Sequence, residues 1–151
     1  MNDIIRLCSV SRIGWRDPHS WLALSLGPAT WLLLAALLGP TADPPQPLVN
    51  PWVLVLPVVV HPLVEEILFR GYLQGWIAAR SARTWGPVSQ ANLITSVLFA
   101  TAHIVLNPGL MAALVFFPSL IFGYFRERHN GLATPILLHA WYNLGFVWIY
   151  W

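Results

Sequence analysis

The sequence contains no lysine and little charge of either sign. Charged residues make up 9% of the 151 residues, and all eight basic residues are arginine. A soluble domain carries about 25% charged residues, so this chain lacks the polar surface of a soluble globule. The arginines lie between apolar runs rather than on one basic face, which excludes a nucleic-acid-binding protein.

Cysteine is almost as scarce, because Cys8 is the only one in the chain. A single cysteine excludes an internal disulfide and a metal site built from thiolates. We interpret Cys8 as a small residue near a membrane surface, with palmitoylation as the alternative.

Apolar residues are abundant instead, at 57% of the chain. Five apolar runs approach or exceed the roughly 20 residues that cross a bilayer. These runs are Trp21–Leu38, Trp52–Ile77, Ala91–Leu106, Leu110–Phe125 and Thr134–Trp151. They leave a polar tail over residues 1–20 and short loops, so we expect one membrane-embedded domain over residues 21–151. The predicted fold is an all-α bundle of about five transmembrane helices, or four if the first run is removed as a signal peptide.

The arginines predict the orientation of this bundle. Their counts along the tail and the successive loops are three, zero, two, zero and two, with none beyond the last run. Cytoplasmic loops of membrane proteins carry the excess of basic residues. The alternation therefore places the N-terminus in the cytoplasm.

Local signals predict where several helices begin, bend and end. Asn50 followed by Pro51 is typical of a helix N-terminus. Pro57 and Pro62 lie inside the second run and should bend it. Asn130, followed by glycine, is a plausible end for the fourth run.

The second run also contains Glu65, Glu66 and Arg70. One charge at the centre of a membrane helix costs about 2.5–3.5 kcal/mol, so these residues require an explanation. Glu66 and Arg70 are spaced i, i+4 and can pair on one helix face. Glu65 is turned about 100° away and is left for chemistry. The alternative is that the polar residues only hold helices together.

Two further polar sites lie in the third and fifth runs. His103 is alone in the third run, whereas His139 and Asn143 share one face of the fifth at i, i+4 spacing. Each could hydrogen-bond a neighbouring helix and do nothing more. Counted at 1.5 Å per residue, His139 lies about 10 Å from the cytoplasmic ends and His103 about 15–20 Å. The depths permit one shared cavity with Glu65.

Together, these three sites resemble the ordered motifs of CAAX protease and bacteriocin-processing (CPBP) membrane proteins, which include the type II CAAX prenyl endopeptidases. The matching residues are Glu65-Glu66-x-x-x-Arg70, Phe99-x-x-x-His103 and His139-x-x-x-Asn143. The resemblance extends over about residues 51–151. The short chain is similar in size to compact members of JDVT-CTERM type protein sorting systems.

The resemblance implies an all-helical intramembrane protease of the glutamic type. Glu65 would be the general base that activates a water, and His103 would help to orient that water. His139 and Asn143 would stabilise the oxyanion of the tetrahedral intermediate.

The same resemblance implies that Glu66 and Arg70 support the site as a pair. It implies no cofactor and no metal. The expected substrate is a membrane-anchored protein or peptide, reached through the lipid bilayer. The expected location is the bacterial inner membrane.

Two alternatives stay open at this stage. Two histidines and a glutamate can bind zinc, although the His-Glu-x-x-His motif is absent. A non-catalytic membrane protein, either a proton-coupled transporter or a chaperone-like binder, could use the same buried Glu and His residues.

Overall fold

The structure is a computed structural model, and it describes residues 14–39 and 50–150. Most of these residues are helical. The first thirteen residues, with Cys8, lie outside the described residues, as do residues 40–49 and Trp151. Most of the predicted tail and of the first loop therefore stays a prediction.

Helix α1, Pro18–Leu38, contains the first apolar run and begins three residues before it. The earlier start follows from its cap, because the Asp17 carboxylate accepts a hydrogen bond from the His19 N–H at 3.1 Å. Pro18 occupies a first-turn position where no N–H is needed. The helix ends as predicted before Gly39, whose φ of 71° is unfavourable for other residues.

The second run forms one continuous helical stretch, which we call α2. It begins as predicted, because the Asn50 side chain accepts from the Trp52 N–H at 3.1 Å. Its successive parts are the 3₁₀ turn Pro51–Leu54, the π-helical Val55–Val60, the α-helical His61–Glu66, the π-helical Ile67–Gln74 and the α-helical Gly75–Ala78.

The wide π turns of α2 surround the prolines that were predicted to disturb it. Pro57 and Pro62 lack the N–H that a regular helix requires. Near them the register changes, and the His61 N–H reaches the carbonyl of Leu56, five residues back. The prolines therefore change the hydrogen-bond register of α2.

A short hairpin, which the sequence analysis did not predict, follows α2. Its strands are β1, Thr84–Trp85, and β2, Val88–Ser89, paired antiparallel. The connecting turn contains Gly86 with a φ of 60° and then Pro87, as in a two-residue hairpin of the II′ kind. The remaining helices are α3 Gln90–Leu106, α4 Leu110–Leu114, α5 Phe116–Arg128 and α6 Ala133–Tyr150.

The predicted fourth run is divided at Val115 into α4 and α5. Pro118 explains the division, since it has no N–H to donate to the carbonyl of Leu114 and its ring crowds that carbonyl. The end of α5 is as predicted, because Asn130 has the left-handed φ of 48° that asparagine tolerates.

Every predicted run is helical, which confirms the all-α class. Within the described residues, three helices are long and apolar enough to cross a membrane: Pro18–Leu37, Trp52–Ala78 and Leu110–Arg128. Helix α3 is apolar but has only 17 residues, and α6 carries His139 and Asn143. Large apolar side chains are widely exposed, as lipid contact requires; Leu32 keeps 73% of its surface. The chain is an integral membrane protein.

The chain divides into two compact units. In its described part, the first comprises residues 65–135 and the second comprises residues 14–39, 50–64 and 136–150.

In the first unit α3 approaches α5 closely at Gly123, where a Cβ atom would collide with the Asn92 side chain. The Asn92 amide donates to the carbonyl of Leu120 at 2.9 Å and its oxygen accepts from Ser96. Small and polar residues are the usual means of joining membrane helices.

In the second unit, a tryptophan of α1 packs against a glycine of α6, and a tryptophan of α6 packs against a glycine of α1. The Trp141 ring lies against Gly27 and the Trp31 ring lies against Gly145, so neither glycine has room for a side chain. The Trp31 indole donates to the carbonyl of Tyr142 at 3.2 Å. Helix α1, which the resemblance does not cover, is thus an integral part of this unit.

We predict that Gly145→Ala destabilises the protein by about 1–3 kcal/mol, because the added Cβ overlaps the Trp31 ring. Thermal unfolding in detergent, followed by helical circular dichroism, measures the loss. In a Trp31→Ala background the same change should cost nothing further. An equal loss in both backgrounds would contradict this packing.

Candidate active site

The ion pair predicted in the second run is present and completely buried. Arg70 Nη1 lies 3.2 Å from Glu66 Oε1, and neither side chain has exposed surface. Both residues face the interior of the first unit. Pairing is what makes their burial tolerable, since an isolated buried charge costs several kcal/mol.

Arg70 has further partners on α3 and α5. Its Nη2 donates to the Ser119 hydroxyl at 2.6 Å and to the Ser119 carbonyl at 3.1 Å. Its guanidinium also lies over the rings of Phe99 at 4.5 Å and Phe122 at 5.5 Å, within cation–π range. Arg70 thus joins α2 to both other long helices of its unit.

Sequence reasoning missed Ser119 and Phe122 as partners of Arg70. Ser119 lies 49 residues from the arginine. The only local signal was a hydroxyl within an otherwise apolar run, and such a signal does not identify its partner.

A second polar network closes the arginine-rich end of the first unit. Glu127 accepts hydrogen bonds from Gln74 at 2.7 Å and from Ser89 at 2.5 Å. The Arg126 Nε donates to the backbone carbonyl of Arg70 at 3.2 Å. These bonds link α2, the hairpin and α5, so they fix the helix that carries the glutamates at a second level.

Glu65 differs from Glu66 in its burial. Glu66 has no exposed surface, whereas Glu65 is only partly buried, one residue earlier on the same helix. This difference agrees with the predicted turn of about 100° between neighbouring side chains. The two adjacent carboxylates thus occupy different environments.

His103 is held by its own helix. Its Nδ1 lies 3.0 Å from the carbonyl oxygen of Phe99, and the two rings are 4.4 Å apart. A carbonyl oxygen only accepts, so Nδ1 carries the hydrogen in this contact, and the tautomer with a single ring hydrogen has its lone pair on Nε2. Phe99 contacts both Arg70 and His103, which connects the first two motifs through one ring.

The third motif lies on α6, in the second unit. His139 is buried, with 5% of its surface exposed. The Asn143 amide donates to the backbone carbonyl of Pro57 at 2.7 Å. The structure therefore brings Glu66 and Arg70 together and joins them to His103 through Phe99. The shared layer of Glu65, His103 and His139 stays a prediction.

Over residues 14–39 and 50–150, no group of three His, Cys, Asp or Glu side chains has an arrangement that could hold a metal ion. The zinc alternative is therefore left to a chelation experiment.

We predict that Glu66→Ala destabilises the protein by about 3–5 kcal/mol, because it leaves the Arg70 charge buried without its carboxylate. Ser119→Ala should cost about 1.5–3 kcal/mol through the lost bond to a charged donor. Denaturant or thermal unfolding in detergent measures both.

Arg80→Ala is the control for this prediction. Arg80 also lies over an aromatic ring, that of Trp76 at 3.8 Å, but it is exposed, so its loss should cost less than about 1 kcal/mol. If Glu66→Ala were no more damaging than Arg80→Ala, the buried pair would not organise this unit.

One curated relative by sequence is the "Uncharacterized 24.3 kDa protein" of Escherichia coli. It is 41% identical over 81 residues, which cover 54% of this chain and 36% of that protein. The chain therefore spans about a third of the length of the curated relative that it matches. No solved structure matches the chain.

The model of the family "Type II CAAX prenyl endopeptidase Rce1-like" matches residues 47–145, about two thirds of the 151 residues. That range includes the glutamates and arginine of α2, His103 on α3, and His139 and Asn143 on α6. The chain therefore belongs to the type II CAAX prenyl endopeptidase Rce1-like family, within the CPBP proteins that its three motifs resemble.

Proposed function

We propose that the protein is an intramembrane endopeptidase of the glutamic type that hydrolyses a peptide bond of a membrane-anchored protein or peptide. The family supports a protease of this general kind. The observation that carries the finer assignment is the different burial of two adjacent carboxylates. Glu66 is fully buried on Arg70, whereas Glu65 is partly buried on a different face of α2.

In this mechanism Glu65 is the general base. Its carboxylate takes a proton from a water molecule, and the water oxygen forms a bond to the scissile carbonyl carbon. The carbon–nitrogen bond then breaks, and the proton held by Glu65 passes to the leaving amine.

His103 orients the attacking water. Its Nδ1–H is committed to the carbonyl of Phe99, which leaves the Nε2 lone pair to accept a hydrogen from water. The bond to Phe99 supports this role, because it holds the ring in one orientation and one tautomer. A ring that could rotate or move its hydrogen to the other nitrogen would hold the water less well.

His139 and Asn143 stabilise the oxyanion. The Asn143 amide has two N–H donors, and the bond to Pro57 uses one of them. The second N–H of Asn143 and the His139 ring would be the oxyanion donors, and the loss of one such donor typically lowers the rate by about 10²–10³.

The substrate enters from the lipid. The exposed apolar surface of the helices fits a peptide that arrives while anchored in the bilayer, at the bacterial inner membrane. A role in protein sorting is part of this proposal, as the resemblance to the JDVT-CTERM type members implies. No cofactor or metal takes part in the steps proposed.

We predict that Glu65→Gln abolishes cleavage without unfolding the protein, since the amide keeps the size of the side chain but is no base. Co-expression with membrane-anchored candidate substrates, chosen from neighbouring genes, and mass spectrometry of the products measure cleavage. Glu127→Gln makes the same chemical change on an exposed carboxylate and should still cleave, because its amide oxygen can still accept from Gln74 and Ser89. Activity should survive stringent chelation, whereas loss that zinc restores would favour the zinc alternative. Cleavage at the wild-type rate by Glu65→Gln would refute the assigned base.

We predict that His103→Gln retains more activity than His103→Asn. The asparagine amide can replace Nδ1 as donor to the Phe99 carbonyl but does not reach the position of Nε2, whereas glutamine reaches it. We expect at least tenfold between the two variants in kcat at equal folded fraction. Equal rates would show that Nε2 does not act on the water.

A further inference from the structure

Three side chains of α6 donate to backbone carbonyls of other helices in the second unit. One of them, the Tyr142 hydroxyl, donates to the carbonyl of Ala23 at 2.7 Å, which no proline opens because Gly27 stands four residues later. The other two reach carbonyls that lie before prolines. The Trp141 indole donates to the carbonyl of Leu24 at 3.0 Å, and the Asn143 amide donates to that of Pro57 at 2.7 Å. Both acceptors lie inside helices, where carbonyls are normally occupied by the helix's own N–H groups. Each therefore requires a reason for its availability.

The carbonyl of Leu24 is available because of Pro28. In α1 the regular ladder joins each carbonyl to the N–H four residues later, and for Leu24 that residue is Pro28. Proline has no N–H. The Trp141 indole supplies the missing donor from the neighbouring helix.

The carbonyl of Pro57 is available because of Pro62. Just before this point α2 has the π register, in which the His61 N–H reaches back five residues to Leu56. Continued by one residue, this register would join residue 62 to the carbonyl of Pro57, but Pro62 has no N–H. The Asn143 amide makes that bond instead.

The environment makes these replacements necessary. Water within the hydrocarbon core cannot satisfy an open carbonyl, and an unsatisfied buried group costs about 1–3 kcal/mol. Trp141 and Asn143 lie two residues apart on α6. Trp141 donates to an open carbonyl of α1, and Asn143 donates to an open carbonyl of α2. Two of the three carbonyls that α6 side chains reach are thus carbonyls that a proline leaves without a helical donor.

We propose that α6 completes the hydrogen-bond ladders that Pro28 and Pro62 interrupt, and that Asn143 is thereby a positioning residue for the stretch of α2 that leads into Glu65. Pro62 lies three residues before Glu65 in the chain. The link to catalysis rests on the proposed function. The hydrogen-bond replacement itself does not.

The test is a double-mutant cycle between Asn143 and Pro62 in the full chain, purified in detergent. Asn143→Leu removes the donor at similar volume, and Pro62→Ala restores a backbone N–H. We expect Asn143→Leu alone to lower the unfolding midpoint by roughly 2–8 °C. In the Pro62→Ala background the same change should lower the midpoint by less than half as much. Equal losses in both backgrounds would overturn the proposal.

Cleavage kinetics test the positioning role separately. Asn143→Leu should lower kcat with little change in KM, and adding Pro62→Ala should recover at least tenfold of the lost kcat. Recovery of the midpoint with no recovery of kcat would overturn the positioning role. Full recovery of kcat would support it and would show that Asn143 is not an oxyanion donor. If neither the parent chain nor any variant cleaves a substrate, the proposed function fails. The unfolding cycle then still tests whether Asn143 replaces the N–H that Pro62 lacks.

A second cycle guards against misfolding of the Pro62→Ala protein. Trp141→Phe keeps an aromatic ring against Gly27 but removes the indole N–H. The change should lower the midpoint in the parent chain and have less than half that effect beside Pro28→Ala. Matching couplings in both cycles support the proposal, and the absence of coupling in both overturns it.

Discussion

The buried pair of Glu66 and Arg70 is the interaction on which the first unit depends. A guanidinium without exposed surface has to satisfy its charge and its donors inside the protein, and a single carboxylate cannot do so alone. Arg70 therefore recruits Ser119 on α5 and the ring of Phe99 on α3. The contacts that stabilise the Arg70 charge thus also hold α2 against α3 and α5. They also fix Glu66, and this leaves the neighbouring glutamate as the carboxylate with a different environment.

The sequence predicted those parts of the molecule that local rules determine. The i, i+4 spacing of Glu66 and Arg70 predicted their contact, because neighbours on a helix face are set by the helical repeat alone. The cap at Asn50 and the left-handed Asn130 follow equally from local chemistry. The break at Val115 was missed, although Pro118 supplied the signal.

The sequence could not predict which groups meet across long separations. The partner of Arg70 on α5 is 49 residues away, and the partner of Asn143 on α2 is 86 residues away. Nothing in a hydroxyl or an amide specifies its acceptor until the helices pack. The roles of Glu65, His103, His139 and Asn143 are harder still to predict, because they depend on a substrate that the chain does not contain. Fold class, pairing on one helix and caps are therefore predictable here, whereas the composition of the site is not.

Both units meet the same constraint by different means. Within a bilayer every polar group must find its partner in the protein. In the first unit the polar group that requires partners is the Arg70 side chain. Its partners are the Glu66 carboxylate, the hydroxyl and carbonyl of Ser119, and aromatic rings. In the second unit the groups in need are backbone carbonyls opened by Pro28 and Pro62, and side chains of α6 provide the partners. A membrane enzyme needs polar residues for its chemistry but has to keep them ordered without water. Asn143 lies against an opened carbonyl and also in the third motif, so under the proposed function one side chain would meet both requirements.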